Sequence, residues 1–140
     1  MTKNFSIGDV YLIHFNGDEH EQNGWRSGVV FQNNTGNVHS PNVIVLPMTS
    51  SAKKIYRKIP THVVVYANDS GLKKDSVVLC ENPVSVSKTK CGNYLTTIPD
   101  KYMKEIAAAY LIATSALAFI DINVFSELKN KCISLNMMCK

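Results

Sequence analysis

The hydrophobic period changes once along this chain, near Thr97, and that change limits the folds open to it. Before it, apolar residues come in short β-branched and aromatic runs at 8–15, 27–32, 43–46, 61–66, 76–81, 84–87 and 94–97, broken by Gly, Pro and Asn. Runs of that length bounded by turn residues predict strands. After it, Met103, Ile106, Ala107, Tyr110, Leu111, Thr114, Leu117 and Ala118 recur at three- and four-residue spacing, which predicts a helix of about five turns. Phe125, Leu128, Cys132, Leu135 and Cys139 step in the same way after an interruption at 121–123 and predict a second amphipathic helix. Thr97-Ile98-Pro99-Asp100 reads as a capping box for the first. Strands first and helices last make an α+β domain, the strands curling into a small barrel.

The connections refine this picture. Residues 33–37 are Asn- and Gly-rich and predict a turn, as do 68–71, with a helical turn at 72–75. Pro47 has no N–H for a ladder, so the third strand is expected to end or bulge there. The loop at 16–24 holds two glycines, two asparagines and four titratable groups, more than a tight hairpin needs.

A chain of 140 residues is read as one domain able to bury a core without disulfides. Its four cysteines, Cys80, Cys91, Cys132 and Cys139, show neither C-x-x-C spacing nor a His at ligand spacing. They predict reduced thiols, a cytoplasmic setting, no metal and no cofactor. The N-terminus lacks the apolar centre of a signal peptide. The apolar stretch 106–122 is interrupted by Thr114, Ser115 and Asp121 and reads as a buried helix, not a membrane span. The net charge of +4 permits an anionic partner without demanding one.

Two groups of side chains stand out. Arg26 opens the second strand, and Thr49, Ser50 and Ser51 follow the third, so a guanidinium and hydroxyls meet at one mouth of the barrel. That combination suits an anion. Lys53, Lys54, Arg57 and Lys58 form a basic loop that either tracks phosphates or is simply solvated. Trp25 either stacks a base or plugs the barrel end. Thr49 and Ser50 have an alternative role as helix caps. His14 and His62, inside strands, are read as structural. No G-x-S-x-G, P-loop, H-E-x-x-H or paired-carboxylate motif is present.

Seven short motifs, in order, resemble the MazF/PemK family of toxin endoribonucleases over roughly residues 7–120. They are Gly8-Asp9-Val10-Tyr11, Glu21-Gln22-x-Gly24-x-Arg26, Gln32-Asn33, Ser40-Pro41-x-Val43-Ile44-Val45, Met48-Thr49-Ser50, Pro60-Thr61-His62-Val63 and Gly71-Leu72-x-Lys74-Asp75-Ser76-Val77-Val78. The resemblance implies an SH3-like barrel of CcdB/MazF type with a C-terminal helix over 1–120, and makes 121–140 a helical extension of the same domain. It implies a cytoplasmic homodimer, restrained by an acidic antitoxin, that cuts single-stranded mRNA at short sequences without metal. By the same resemblance Arg26 and Thr49 are the catalytic pair, with Glu81 and His20 as proton carriers. Glu21, Gln22, Trp25, Ser50, Lys53 and Lys54 then contact RNA.

The chain departs from the family pattern at Ser27, where Pro usually follows the Arg, and at Val84, where many members have Arg. A rival reading is a toxin-fold binding protein that does not cut: a CcdB-like binder of a protein target, or a degenerate binder of RNA or antitoxin. The apolar stripe of 121–140 is expected to pack on its own domain.

Overall fold

The computed structural model describes residues 3–15 and 24–134. Seven strands and five helices follow in the order β1 (Asp9–His14), β2 (Trp25–Val30), α1 (Asn34–His39), β3 (Asn42–Thr49), α2 (Ala52–Tyr56), β4 (His62–Val65), α3 (Ala67–Ser70), β5 (Ser76–Leu79), β6 (Val84–Ser87), β7 (Cys91–Thr97), α4 (Asp100–Thr114) and α5 (Phe125–Ser134). All pairings are antiparallel, in the order β4-β5-β3-β2-β1-β7, and β6 hangs on β3 beside this path. The sheet curls like a barrel but does not close, since β4 and β7 are not paired with one another among the described residues.

Both faces of the sheet are buried, as the apolar character of both faces of β1 requires. Val10, Val29, Leu46, Met48, Val63 and Val65 meet Tyr102, Ile106 and Ala109 of α4 in one core. Tyr11, Ile13, Val30, Val43 and Val45 meet Phe5, Val86 and Cys91 in the other. Successive residues of β1, β2 and β3 alternate between the two, as a period of two dictates.

Several local expectations fail for tertiary reasons. Residues 34–39 are helical, not a turn. Asn33 caps them by accepting the Gly36 N–H at 2.9 Å. The buried Asn37 amide donates to the Gln32 carbonyl and to Asn34 Oδ1, each at 2.9 Å. The helical turn expected at 72–75 lies instead at Ala67–Ser70, where Gly71 at φ +80° ends it. The expected capping box is absent: Pro99 occupies the N-cap of α4 without a side-chain bond, while the Thr97 hydroxyl donates to Asp9 at 2.8 Å.

Strand β3 runs straight through the buried Pro47. Phe31 N–H donates to the Ile44 carbonyl, so even-numbered residues of β3 bond to β2 and Pro47 faces the other edge. There it falls between the last pair with β6 (Val45–Val84) and the first with β5 (Met48–Val78). The missing N–H lands where one neighbour hands over to the next.

Helix α4 stops at Thr114, one turn earlier than its pattern suggests, because Ser115 turns left-handed at φ 55°. Among the described residues the expected packing of the last helix on its own domain is not seen. No described residue of α5 is buried, and Phe125, Leu128 and Ile133 are about half exposed. Among the described residues no helix is long and apolar enough to cross a membrane.

Candidate active site

Arg26 and Thr49 come together through strand register. Gly28 pairs with Pro47, Val29 with Leu46 and Val30 with Val45. Continued two residues, the same register sets Arg26 against Thr49. Both lie in the rows that, further along, supply Val30 and Val45 to the second core. The pair therefore forms the open end of a packed face, with Arg26 held by its pairing with Ile13 on β1 and Thr49 by its pairing with Val77 on β5.

Gly28, next to Arg26 in that row, leaves room for its neighbours. A Cβ there would lie 2.7 Å from Ile13 Cδ1 and 3.5 Å from Phe15 Cζ. Ile13 is the cross-strand partner of Arg26 on β1, so the guanidinium stem starts from a filled floor.

Half-buried Arg26 borders two depressions. The smaller, about 280 Å³, is lined by Trp25, Arg26, Ser27, Thr49, Ser50 and Ser76 among others. Thr49 Oγ1 accepts the Ser51 N–H at 3.3 Å, which leaves the hydroxyl proton for another acceptor. The capping alternative for Thr49 and Ser50 does not hold, because Ser51 is the N-cap of α2 and makes no side-chain cap bond. Nor does Trp25 plug the core: it is 46% exposed and packs edge-on against His14, ring centres 5.0 Å apart.

The larger depression, about 810 Å³, is lined by Arg26, His14, Lys54, Glu81, Val84 and Lys90 among others. Glu81 follows β5 in the connection to β6. His62 is paired with Leu79, so Glu81, two residues on, is its diagonal neighbour on the same face. His62 Nε2 and Glu81 Oε1 are 2.8 Å apart. Burial pushes the Glu81 carboxyl up. Its own backbone N–H and the His62 and Thr61 hydrogen bonds outweigh that and hold it below the usual carboxylate range.

Trp25, Thr49 and Ser50 thus line the smaller depression and Lys54 and Glu81 the larger, with Arg26 common to both. Lys53 is exposed on α2, as are Arg57 and Lys58 beyond it. His20, Glu21 and Gln22 lie outside the described residues. Ser27 pairs with Leu12 and stands one residue beyond the last β2–β3 pair, Gly28–Pro47. Lys90 was missed by sequence reasoning. Its only local signal is its place in the basic 3-10 turn Lys88–Lys90 that joins β6 to β7. His14 was read as structural and borders the larger depression. Among the described residues no three His, Cys, Asp or Glu side chains gather as a metal site. A further depression of about 900 Å³ lies apart, between β4 and α4.

The family model described as PemK-like, MazF-like toxin of type II toxin-antitoxin system matches residues 6–113. The chain belongs to this toxin family. It is 43% identical over 100 residues to Endoribonuclease MazF of Staphylococcus saprophyticus, a match covering 71% of this chain and 82% of that protein. Among solved structures it is similar to an endoribonuclease in complex with its cognate antitoxin from Mycobacterial species, at 25% identity and TM-score 0.64, over 78% of this chain and 93% of that one. It shares its fold with MazF from Deinococcus radiodurans, at 22% identity and TM-score 0.65, over 81% and 99% of the two chains. The toxin fold with its C-terminal helix α4 is the one that the sequence motifs implied.

Proposed function

We propose that this member of the toxin family is an endoribonuclease that cuts single-stranded mRNA through the RNA's own 2′-OH, leaving a 2′,3′-cyclic phosphate and a 5′-OH. The observation that carries the reading is the position of Arg26, which borders the hydroxyl-lined depression on one side and the Glu81 basin on the other. The named relative from Staphylococcus saprophyticus is an endoribonuclease, which supports it.

In this mechanism the scissile phosphate sits against Arg26. The guanidinium is permanently charged and its fork grips two phosphate oxygens. The Thr49 hydroxyl donates to phosphate as negative charge builds in the pentacoordinate transition state. The 2′-oxygen attacks phosphorus and its proton passes to the Glu81 carboxylate, which the neighbouring hydrogen bonds keep ionised. The 5′-oxygen leaves with its bond pair and takes a proton from a second group, for which His20 is proposed. Lys54 and Lys90 attract the flanking phosphates, and Trp25 offers an exposed ring for a base to stack on. Glu21, Gln22, Ser50 and Lys53 are proposed RNA contacts.

A cytoplasmic homodimer restrained by an acidic antitoxin completes the proposal, with residues 1–120 as the toxin domain and 121–140 as its extension. One related toxin is solved with its cognate antitoxin, and the basic rim of this chain suits an acidic partner.

Incubation of the purified protein with long single-stranded RNA in EDTA tests the reaction. Cleavage that stops when the cut site carries 2′-deoxyribose is expected. RNA left intact across several sequences, or cleavage that survives 2′-deoxy substitution, refutes it.

A further inference from the structure

The sequence assigned His62 to structure, yet it stands directly behind the proposed base. Its side chain is only 8% exposed, whereas that of Glu81 is 35% exposed. The imidazole therefore occupies the dry side of the carboxylate, and the basin the wet side. The two touch because the β4–β5 register makes them diagonal neighbours, 19 residues apart in sequence.

The second ring nitrogen narrows the chemistry. His62 Nδ1 is buried and has no hydrogen-bond partner among the described residues. A proton there would bury an N–H without an acceptor, which is costly, whereas a bare lone pair is less so. The favoured tautomer carries its proton on Nε2 and donates it to Glu81. An imidazole in that state is a neutral, fixed donor to an ionised carboxylate.

We propose that His62 is a positioning residue for RNA cleavage: it donates from Nε2 to Glu81 and holds that carboxylate ionised and aimed into the basin. The inference rests on the reading of Glu81 as the base. His62 touches no substrate and acts through Glu81 alone. On the basin side, Arg26, His14, Lys54 and Lys90 face Glu81. They remain when His62 is changed. On the other side His62 borders the β4–α4 depression with Asp69 of α3 and with Lys101 and Glu105 of α4. That mixed set has little net charge.

The test is the pH dependence of kcat/KM on a short RNA for His62→Ala, His62→Gln and Glu81→Gln, together with carboxyl-carbon NMR of Glu-labelled protein. In His62→Ala the acid limb of the profile and the Glu81 titration are expected to move together to higher pH, with a further, smaller loss of cleavage above the limb because the carboxylate is no longer aimed. His62→Gln supplies an amide N–H at the place of Nε2 and is expected to move both back. A folded His62→Ala with an unmoved limb overturns the inference, as does a uniform loss at all pH values that Gln does not repair. If His62→Ala does not fold, an unmoved Glu81 titration in a folded His62→Leu overturns it instead. Glu81→Gln separates the two readings. Cleavage retained with the same acid limb sinks the base assignment itself, whereas a loss of about 10²–10⁴-fold beside an unmoved His62→Ala limb sinks only the role of His62.

Discussion

Replacing Gly28 by Ala should destabilise this protein, although Gly→Ala in a strand ordinarily does the reverse. Gly28 is not among the glycines at positive φ, so its backbone accepts a side chain. Restricting the unfolded chain should then stabilise by about 0.4–1 kcal/mol. Against this, the new methyl would sit 2.7 Å from Ile13 Cδ1, where carbon atoms prefer about 3.5–4 Å. Ile13 is fully buried and Phe15 Cζ, 3.5 Å from the same methyl, limits its retreat. Overpacking of this kind costs about 1–3 kcal/mol, so the net loss is about 1–2 kcal/mol. For a chain of this size that lowers the melting temperature by about 3–7 °C, readable by circular dichroism. Cleavage should fall as well, by up to about 10²-fold at a temperature where the variant is fully folded, because Ile13 is the ladder partner of Arg26. A melting temperature equal to or above the parent's would refute the packing argument.

Arg26→Ala should lower cleavage by about 10²–10³-fold with an unchanged circular dichroism spectrum, and retained activity would remove Arg26 from the mechanism. The Lys101 and Tyr102 hydrogen bonds hold the Asp69 carboxyl below its ordinary range, with burial opposing them. That contribution to stability is full above the usual carboxylate range and is lost as pH falls through the folded value. Asp69→Asn should therefore flatten that stretch of the stability–pH curve, and urea midpoints measured from neutral to acid pH check it. Burial pushes the Cys80 thiol up to about 12, whereas Cys132 on α5 is half-buried. Brief alkylation at neutral pH should modify Cys132 and leave Cys80 untouched until urea unfolds the protein, as peptide mass mapping would show. Ser27→Pro should preserve folding and hold Arg26 more firmly, raising cleavage. A loss of folding would show that the Ser27 N–H is in use.

The strands, the α4 helix and the family could be read from sequence because each rests on local pattern. The alternation through Val10, Tyr11, Leu12 and Ile13 marks a strand buried on both faces, and the three–four spacing from Met103 to Tyr110 marks α4. What escaped depends on distant partners. An Asn-rich segment becomes α1 because Asn37 finds buried acceptors. Pro47 stays inside β3 because two ladders change over at that point. Thr97 fails as a cap because Asp9, 88 residues away, takes its hydroxyl. For the site, the motif carried Arg26 and Thr49, whereas the contact of His62 with Glu81 needed the β4–β5 register, which no local pattern states.

The placement of β6 beside the main path of the sheet bears on how such a toxin diversifies. Among the described residues β6 pairs with β3 alone, and of its four residues only Val86 is buried. Val84 and Ser85 line the basin from its far wall and carry little of the folding energy. Arg26 and Thr49 sit on strands flanked by neighbours on either side. One wall of the groove is therefore free to drift and the other is pinned. Substitutions at 84 and 85 should reshape the free wall while leaving the fold intact.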